Sequence, residues 1–256
     1  MYIVGLGKYT GEDIKLLCTN KKVAQIVLGD ILCDRRMFKN VKYDLVDFAK
    51  YIQQSGKKTV LQTNVYVTDR NFQQTLELVQ YLYSSGLVSD VLVQDVGLAT
   101  RIASELGNVN IIWSRMGRVR NSIANSLLAA YLKSIGVSTV ETDREGRIAL
   151  YKKNGLDVHT VFGNVYYNTI NRECYSKYES GNFGDVCHRE CLTRVQEMVS
   201  ADTSLNMIVD GHILGSRLQY NAAPEFKKHS REYNCCVTIY AKDVNGFQVA
   251  VRQWEE

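Results

Sequence analysis

Proline is nearly absent: the chain of 256 residues contains one, Pro224. No proline- or serine-rich linker divides the sequence, so a single domain spanning residues 1–256 is expected. Long apolar runs are also missing. No stretch of about 18 apolar residues occurs, so no membrane-spanning helix is expected. The opening segment MYIVGLGKYTGEDIK passes quickly from apolar to charged residues and does not read as a signal peptide, which implies a cytoplasmic, reducing setting. Strong charge of one sign is lacking as well: 31 Lys and Arg against 27 Asp and Glu leave a net +4. That balance gives no support for nucleic acid as a partner.

Several catalytic motifs are absent. There is no H-E-x-x-H and no G-x-S-x-G, so hydrolysis has no motif to rest on. The four histidines, His159, His188, His212 and His229, are scattered; a Cys–His dyad would have to be assembled by the fold. No G-x-G-x-x-G follows the first apolar run, which removes the usual support for an open, doubly wound dinucleotide-binding sheet.

What is present is alternation. Apolar runs read as strands at MYIVGL, at Val23 to Leu28, and at 58–67, 88–95, 109–114, 137–142 and 156–168. Segments with helical spacing stand between them, several closed by glycine, as at Gly56, Gly86 and Gly136. Strand and helix recur about every 25–30 residues, the spacing of βαβ units with right-handed crossovers. Seven strands need an eighth, and VTIYAKD near the C-terminus supplies it. The expected architecture is an α/β (β/α)8 TIM-like barrel, with a cysteine-bearing insertion and a hairpin, signalled by Asp210-Gly211, between strands seven and eight.

Seven cysteines stand out against a reducing compartment, where an odd count argues against disulfides. Cys18 lies in an apolar helical stretch, and Cys235 and Cys236 lie at the edge of the last strand; core packing explains these three. Cys174, Cys187 and Cys191 form a C-x12-C-x3-C run in a polar, glycine-containing loop. On a barrel, that loop follows strand seven and Cys33 follows strand two, so both groups are expected at the C-terminal rim, where barrel active sites form. Four thiolates suit an iron–sulfur cluster or a zinc ion. Zinc is the simpler alternative, although structural zinc sites favour paired C-x2–4-C knuckles and only Cys187 and Cys191 approach that spacing. His188 would point away from a helical turn carrying Cys187 and Cys191.

Around these cysteines the chain resembles the collagenase-like peptidase U32 family, and within it the UbiV-type iron–sulfur branch. The likeness rests on Leu28, Gly29, Asp30, Cys33, Arg35 and Arg36, on the Asp95-x-Gly97 step after strand four, and on the C-x12-C-x3-C run; it covers roughly residues 23 to 243. The family carries a peptidase label, but the resemblance implies other chemistry. It implies that Cys33, Cys174, Cys187 and Cys191 ligate a [4Fe-4S] cluster; Cys235 and Cys236 depart from the family pattern and offer a substitute ligand. It also implies oxygen-independent hydroxylation of a small molecule or an RNA base, with prephenate as oxygen donor, by the chain alone or paired with a relative of the same family. A non-catalytic iron–sulfur partner subunit is the second reading, and a peptidase by label the third.

Other rim residues suggest substrate contacts. Arg115, Arg118 and Arg120 follow strand five, and guanidinium forks suit a carboxylate or phosphate. Asp95, Glu141 and Asp143 close neighbouring strands and either bind substrate or pair these arginines. Asn64 and His159 point toward the mouth if the strand register is right; a one-residue slip reverses that. Asp95, Arg115, Glu141 and His159 are therefore the candidate substrate-binding residues.

Overall fold

The computed structural model describes residues 1–6, 9–29, 45–63, 69–115, 126–163, 166–170, 196–199, 206–210, 213–216, 224–241 and 243–256. They form two compact units, Met1–Phe162 with Asn221–Glu256, and Gly163–Tyr220.

The larger unit is a (β/α)8 barrel. Its elements run β1 (Tyr2–Leu6), α1 (Gly11–Thr19), β2 (Val23–Gly29), α2 (Leu45–Gln54), β3 (Lys58–Gln62), α3 (Asp69–Ser84), β4 (Asp90–Val93) and α4 (Val96–Leu106). They continue through β5 (Asn110–Trp113), α5 (Ser126–Ser134), β6 (Val137–Thr142), α6 (Glu145–Lys153) and β7 (Asp157–Gly163). After the residues of the second unit come α7 (Pro224–Glu232), β12 (Cys236–Ala241) and α8 (Val244–Glu255). The strands close in the order β1-β12-β7-β6-β5-β4-β3-β2. VTIYAKD is the closing strand, as expected: Ile3 pairs with Thr238 and Gly5 with Tyr240 in parallel register.

The second unit holds a four-stranded sheet in the order β8-β11-β10-β9, with β8 (Tyr166–Ile170), β9 (Gln196–Val199), β10 (Asn206–Asp210) and β11 (Ile213–Ser216). Strands β10 and β11 are antiparallel, with Asp210 opposite Ile213, which is the hairpin signalled by Asp210-Gly211. One expectation is corrected here. The strand read over 156–168 is two strands: β7 ends at Gly163 in the barrel, and β8 pairs antiparallel with β11 in the other sheet. The run LDVHTVFGNVYYN carries apolar residues on both sides of Gly163, so periodicity alone could not find the break. Gly163 marks it with φ 157°.

Strand alternation sets the barrel's two faces. Ile3, Val27, Val60, Leu92 and Ile112 form one buried cluster, with Tyr240 packed against it. Each comes from a different strand and no helix residue joins them, so this is the inner layer of the barrel. Neighbours such as Leu28, Leu61, Val91 and Ile111 are also buried and face outward, toward helix residues such as Leu17, Ile52, Val79 and Ile102. Cys18, buried in α1, belongs to that outer shell, in line with its packing role.

Helix ends follow from local chemistry. Thr10 and Asp13 form a reciprocal capping box on α1, and Asp243 caps α8 by accepting from Gly246 N–H at 2.8 Å. Gly86 ends α3 and Gly136 ends α5 with φ of 67° and 90°, conformations that favour glycine. At Gly136 a Cβ would also press into the Cβ of Ala103. Helix α7, opened by Pro224, was not legible in the sequence; proline suits the first helical turn, where its missing N–H costs nothing. Trp254 of α8 packs against Phe162 and Phe226, fixing the last helix to the barrel wall. Among the described residues, no helix is long and apolar enough to cross a membrane.

Candidate functional site

Two residues beyond the aliphatic inner layer, the inward positions of the strands become Gly5, Gly29, Gln62, Gln94 and Ser114. Ile112 pairs with Thr139, so Thr139 and then Glu141 face inward on β6. The C-terminal end of the barrel interior is therefore polar.

Glu141 is the centre of this layer and is 2% exposed. Tyr240 Oη donates to its Oε1 at 2.9 Å. Strand β7 stands between β6 and β12, so this hydrogen bond reaches past one strand on the inner face. Ser114 Oγ and the Arg115 backbone N–H donate to Oε2 at 3.3 and 3.4 Å. The Arg115 guanidinium lies 3.5 Å from Asp143 Oδ2, and its Cζ is 5.7 Å from the centroid of the Tyr240 ring, within cation–π range. The Tyr240 ring covers Gly5, where a Cβ would come within 2.5 Å of it. Tyr9 sits at the same end of the barrel: its hydroxyl accepts from Leu6 N–H at 3.0 Å and donates to the Val27 carbonyl at 2.5 Å, tying the β1–α1 connection to β2.

Burial sets the protonation of this group. Desolvation raises the Glu141 pKa above the ordinary carboxylate value, opposed by the Arg115 charge and by the hydrogen bonds from Tyr240, Arg115 and Ser114. Desolvation, and then the adjacent Glu141 carboxylate, push the Tyr240 phenol well above its usual range, so it remains a donor. The pair can hold a proton in a low-dielectric mouth, with a cation stacked over it.

Two amides close the layer. Gln94 is fully buried, and neither its Nε2 nor its Oε1 has a hydrogen-bond partner; Gln62 is 6% exposed with an unpartnered Nε2.

The sequence-derived candidates separate accordingly. Arg115 and Glu141 come together, and Asp143 pairs with Arg115. Asp95 is the N-cap of α4, its Oδ1 accepting from Leu98 N–H at 2.9 Å, so a structural task already occupies it. His159 faces inward by its pairing with Glu141. The charges that act on it, however, belong to Asp90 and Asp157, which open β4 and β7, and to Lys152. It therefore belongs to the N-terminal part of the barrel, where Asn110 donates to Asp90 and Thr139 to Asn110. Burial lowers its pKa to about 4, which makes it neutral at pH 7.

Cys33, Cys174, Cys187 and Cys191 lie outside the described residues, as do Arg118, Arg120, Asn64, His188 and His212. Cys33 falls in the chain after Gly29, the end of β2; the other three fall between Ile170, the end of β8, and Gln196. The described cysteines, Cys18, Cys235 and Cys236, are free thiols, and among the described residues no three His, Cys, Asp or Glu are grouped to hold a metal ion. Cys235 and Cys236 stand where β12 begins, the end of the barrel away from the Glu141 layer, and burial raises the Cys235 thiol to about 11.

Tyr240, Ser114, Gln62 and Gln94 were missed in the sequence. A signal existed: each follows an inward aliphatic or polar strand position by two residues, as Gln62 follows Val60 and Gln94 follows Leu92.

Comparison with known proteins gives a match to the family model described as Peptidase family U32 over residues 16–204. A solved structure of a U32 peptidase shares 11% identity at a TM-score of 0.53, covering 94% of this chain and 92% of its own. A Galdieria sulphuraria protein assigned to the glycerophosphodiester phosphodiesterases gives 10% identity and a TM-score of 0.52, covering 100% and 98%. A Streptococcus agalactiae protein assigned as the copper homeostasis protein CutC gives 9% and 0.50, covering 95% and 100%. At these identities the likeness is one of fold. No curated protein matches the chain.

Proposed function

The chain belongs to peptidase family U32, and from that premise we propose that it is an iron–sulfur protein of the UbiV type, acting in oxygen-independent hydroxylation alone or with a relative of the same family. The observation that carries the reading is the cysteine set. In the chain, Cys33 follows β2 of the barrel, and the C-x12-C-x3-C run follows β8 of the second unit. The donor set fits the group. Four thiolates are the ligands a [4Fe-4S] cluster takes, and the described cysteines offer no competing site.

When bound, such a cluster supplies one-electron redox chemistry, a Lewis-acidic iron or a structural staple. The chain's own residues do the rest. Arg115, paired with Asp143 and stacked on Tyr240, holds its positive charge at the rim of this layer. Glu141 and Tyr240 hold a proton beside it in a site shielded from water. A peptidase by family label is the alternative reading, with no nucleophile–base pair among the hydrogen bonds of Glu141, Tyr240, Ser114, Arg115 and Asp143 to favour it.

Anaerobic purification tests the reading. A brown protein with broad visible absorbance and about four irons per chain, the content of a [4Fe-4S] cluster, is expected. A colourless protein with stoichiometric zinc contradicts it.

A further inference from the structure

Gln94 and Gln62 are buried amides with unmet hydrogen-bonding capacity, and their placement is specific. Gln62 pairs with Leu92 across β3 and β4. Ser114 N–H donates to the Val93 carbonyl at 2.9 Å, which continues the β4–β5 ladder and sets Gln94 beside Ser114. Ser114 reaches Glu141, and Glu141 reaches Tyr240. The five side chains follow one another around the inner wall at the C-terminal end. Other unpartnered atoms lie elsewhere: Gln25 Oε1 and Thr238 Oγ1 on inward positions nearer the strand starts, Thr59 Oγ1 and Trp113 Nε1 on outward ones.

Buried polar groups in folded proteins nearly always have partners, so two open amides in one layer call for something that completes them. Gln94 offers a donor and an acceptor on one planar amide. Its complement is a planar group with an acceptor beside a donor. Gln62 Nε2, on the neighbouring strand, is a second open donor. The neighbouring Glu141 carboxyl disfavours an anion at this position, and Arg115 is engaged with Asp143 and with the Tyr240 ring.

We propose that Gln62, Gln94 and the Ser114–Glu141–Tyr240 chain form a binding site for an uncharged planar head group carrying an N–H next to a C=O, a lactam or carboxamide edge. The site specifies ligand chemistry that the family assignment does not, and it stands whether or not the cysteines carry a cluster.

The test uses the full chain purified anaerobically, with its iron content measured alongside, and three probes: 2-pyridone, N-methyl-2-pyridone and benzoate. Binding is read by NMR titration and stability by thermal unfolding. Saturable binding of 2-pyridone is expected, at least tenfold weaker for N-methyl-2-pyridone, whose donor is blocked. Gln94→Met and Gln62→Met keep the side-chain length and remove the open polar atoms. Each should weaken 2-pyridone binding at least tenfold without lowering the midpoint of the ligand-free protein, because a buried polar group without a partner costs desolvation that an apolar replacement avoids. Equal binding of the N-methyl compound, tighter binding of benzoate, or no binding of 2-pyridone overturns the proposal. So does a Gln94→Met protein that unfolds several degrees lower or fails to fold, since that outcome makes the amide a structural group.

Discussion

Tyr240 on β12 and Glu141 on β6 share a 2.9 Å hydrogen bond although β7 separates their strands. The contact reaches past one intervening strand on the inner face of the curved sheet, and it fixes two distant parts of the chain, 99 residues apart, to one point in the mouth. Its loss should be felt in stability. Tyr240→Phe keeps the ring over Gly5 and strands Glu141 Oε1, and should cost about 1–3 kcal/mol in urea unfolding at pH 7. Glu141 has a raised pKa, and the bond is strongest to the ionised form. The penalty should therefore shrink as pH falls through the Glu141 pKa. A penalty independent of pH would place the proton elsewhere.

Gly5 leaves room for that ring. A Cβ there would come within 2.5 Å of two Tyr240 ring carbons, so Gly5→Ala should displace Tyr240 and cost about 1–3 kcal/mol. In a Tyr240→Ala background the same substitution should cost almost nothing. The double-mutant cycle measures this coupling, and simple additivity would deny the contact.

His159 predicts a pH dependence of the opposite kind. Its folded pKa is lowered to about 4 by burial, against 6.5 for the free side chain. Below 6.5 the unfolded chain takes up a proton that the folded chain refuses. The stability associated with the neutral ring is thus complete above pH 6.5 and is lost as pH falls toward 4. His159→Gln should flatten the urea-midpoint profile between those values. An unchanged slope would show that other groups govern the acid limb.

Asp95 separates a cap from a ligand contact. Asp95→Ala should lower stability by about 0.5–2 kcal/mol, as loss of a helix N-cap does, and Asp95→Asn, which keeps an acceptor oxygen, should restore most of it. A large loss of ligand affinity in Asp95→Asn, at unchanged stability, would assign Asp95 to the site instead.

The fold was largely legible in the sequence because strand and helix differ in period, and because glycines such as Gly86 and Gly136 close helices by taking positive φ. The legibility stopped where period carries no information. The run over 156–168 is apolar on both sides of Gly163, so one strand could not be told from two. Of the candidate layer, Glu141 and Arg115 were read in the sequence as charged residues at strand ends; Tyr240, Gln62 and Gln94 were not, because only the strand register shows that they share an interior face. Asp95 and His159 were visible for the same reason as Glu141; the structure places Asp95 at the N-cap of α4 and His159 opposite Glu141 in the β6–β7 register.

The most direct measurement compares Cys33→Ala with Cys18→Ala by iron and sulfide content and by electron paramagnetic resonance, after anaerobic purification. Cys18 is a buried thiol on α1 with packing as its role, so its replacement should leave about four irons per chain at a modest cost in stability. Replacing Cys33 should lower occupancy or leave a three-iron signal, because the run of Cys174, Cys187 and Cys191 supplies only three of the four thiolates such a cluster takes. Full and equal four-iron occupancy in both proteins would contradict Cys33 as a ligand, and absence of iron and sulfide from the parent chain would contradict the cluster itself.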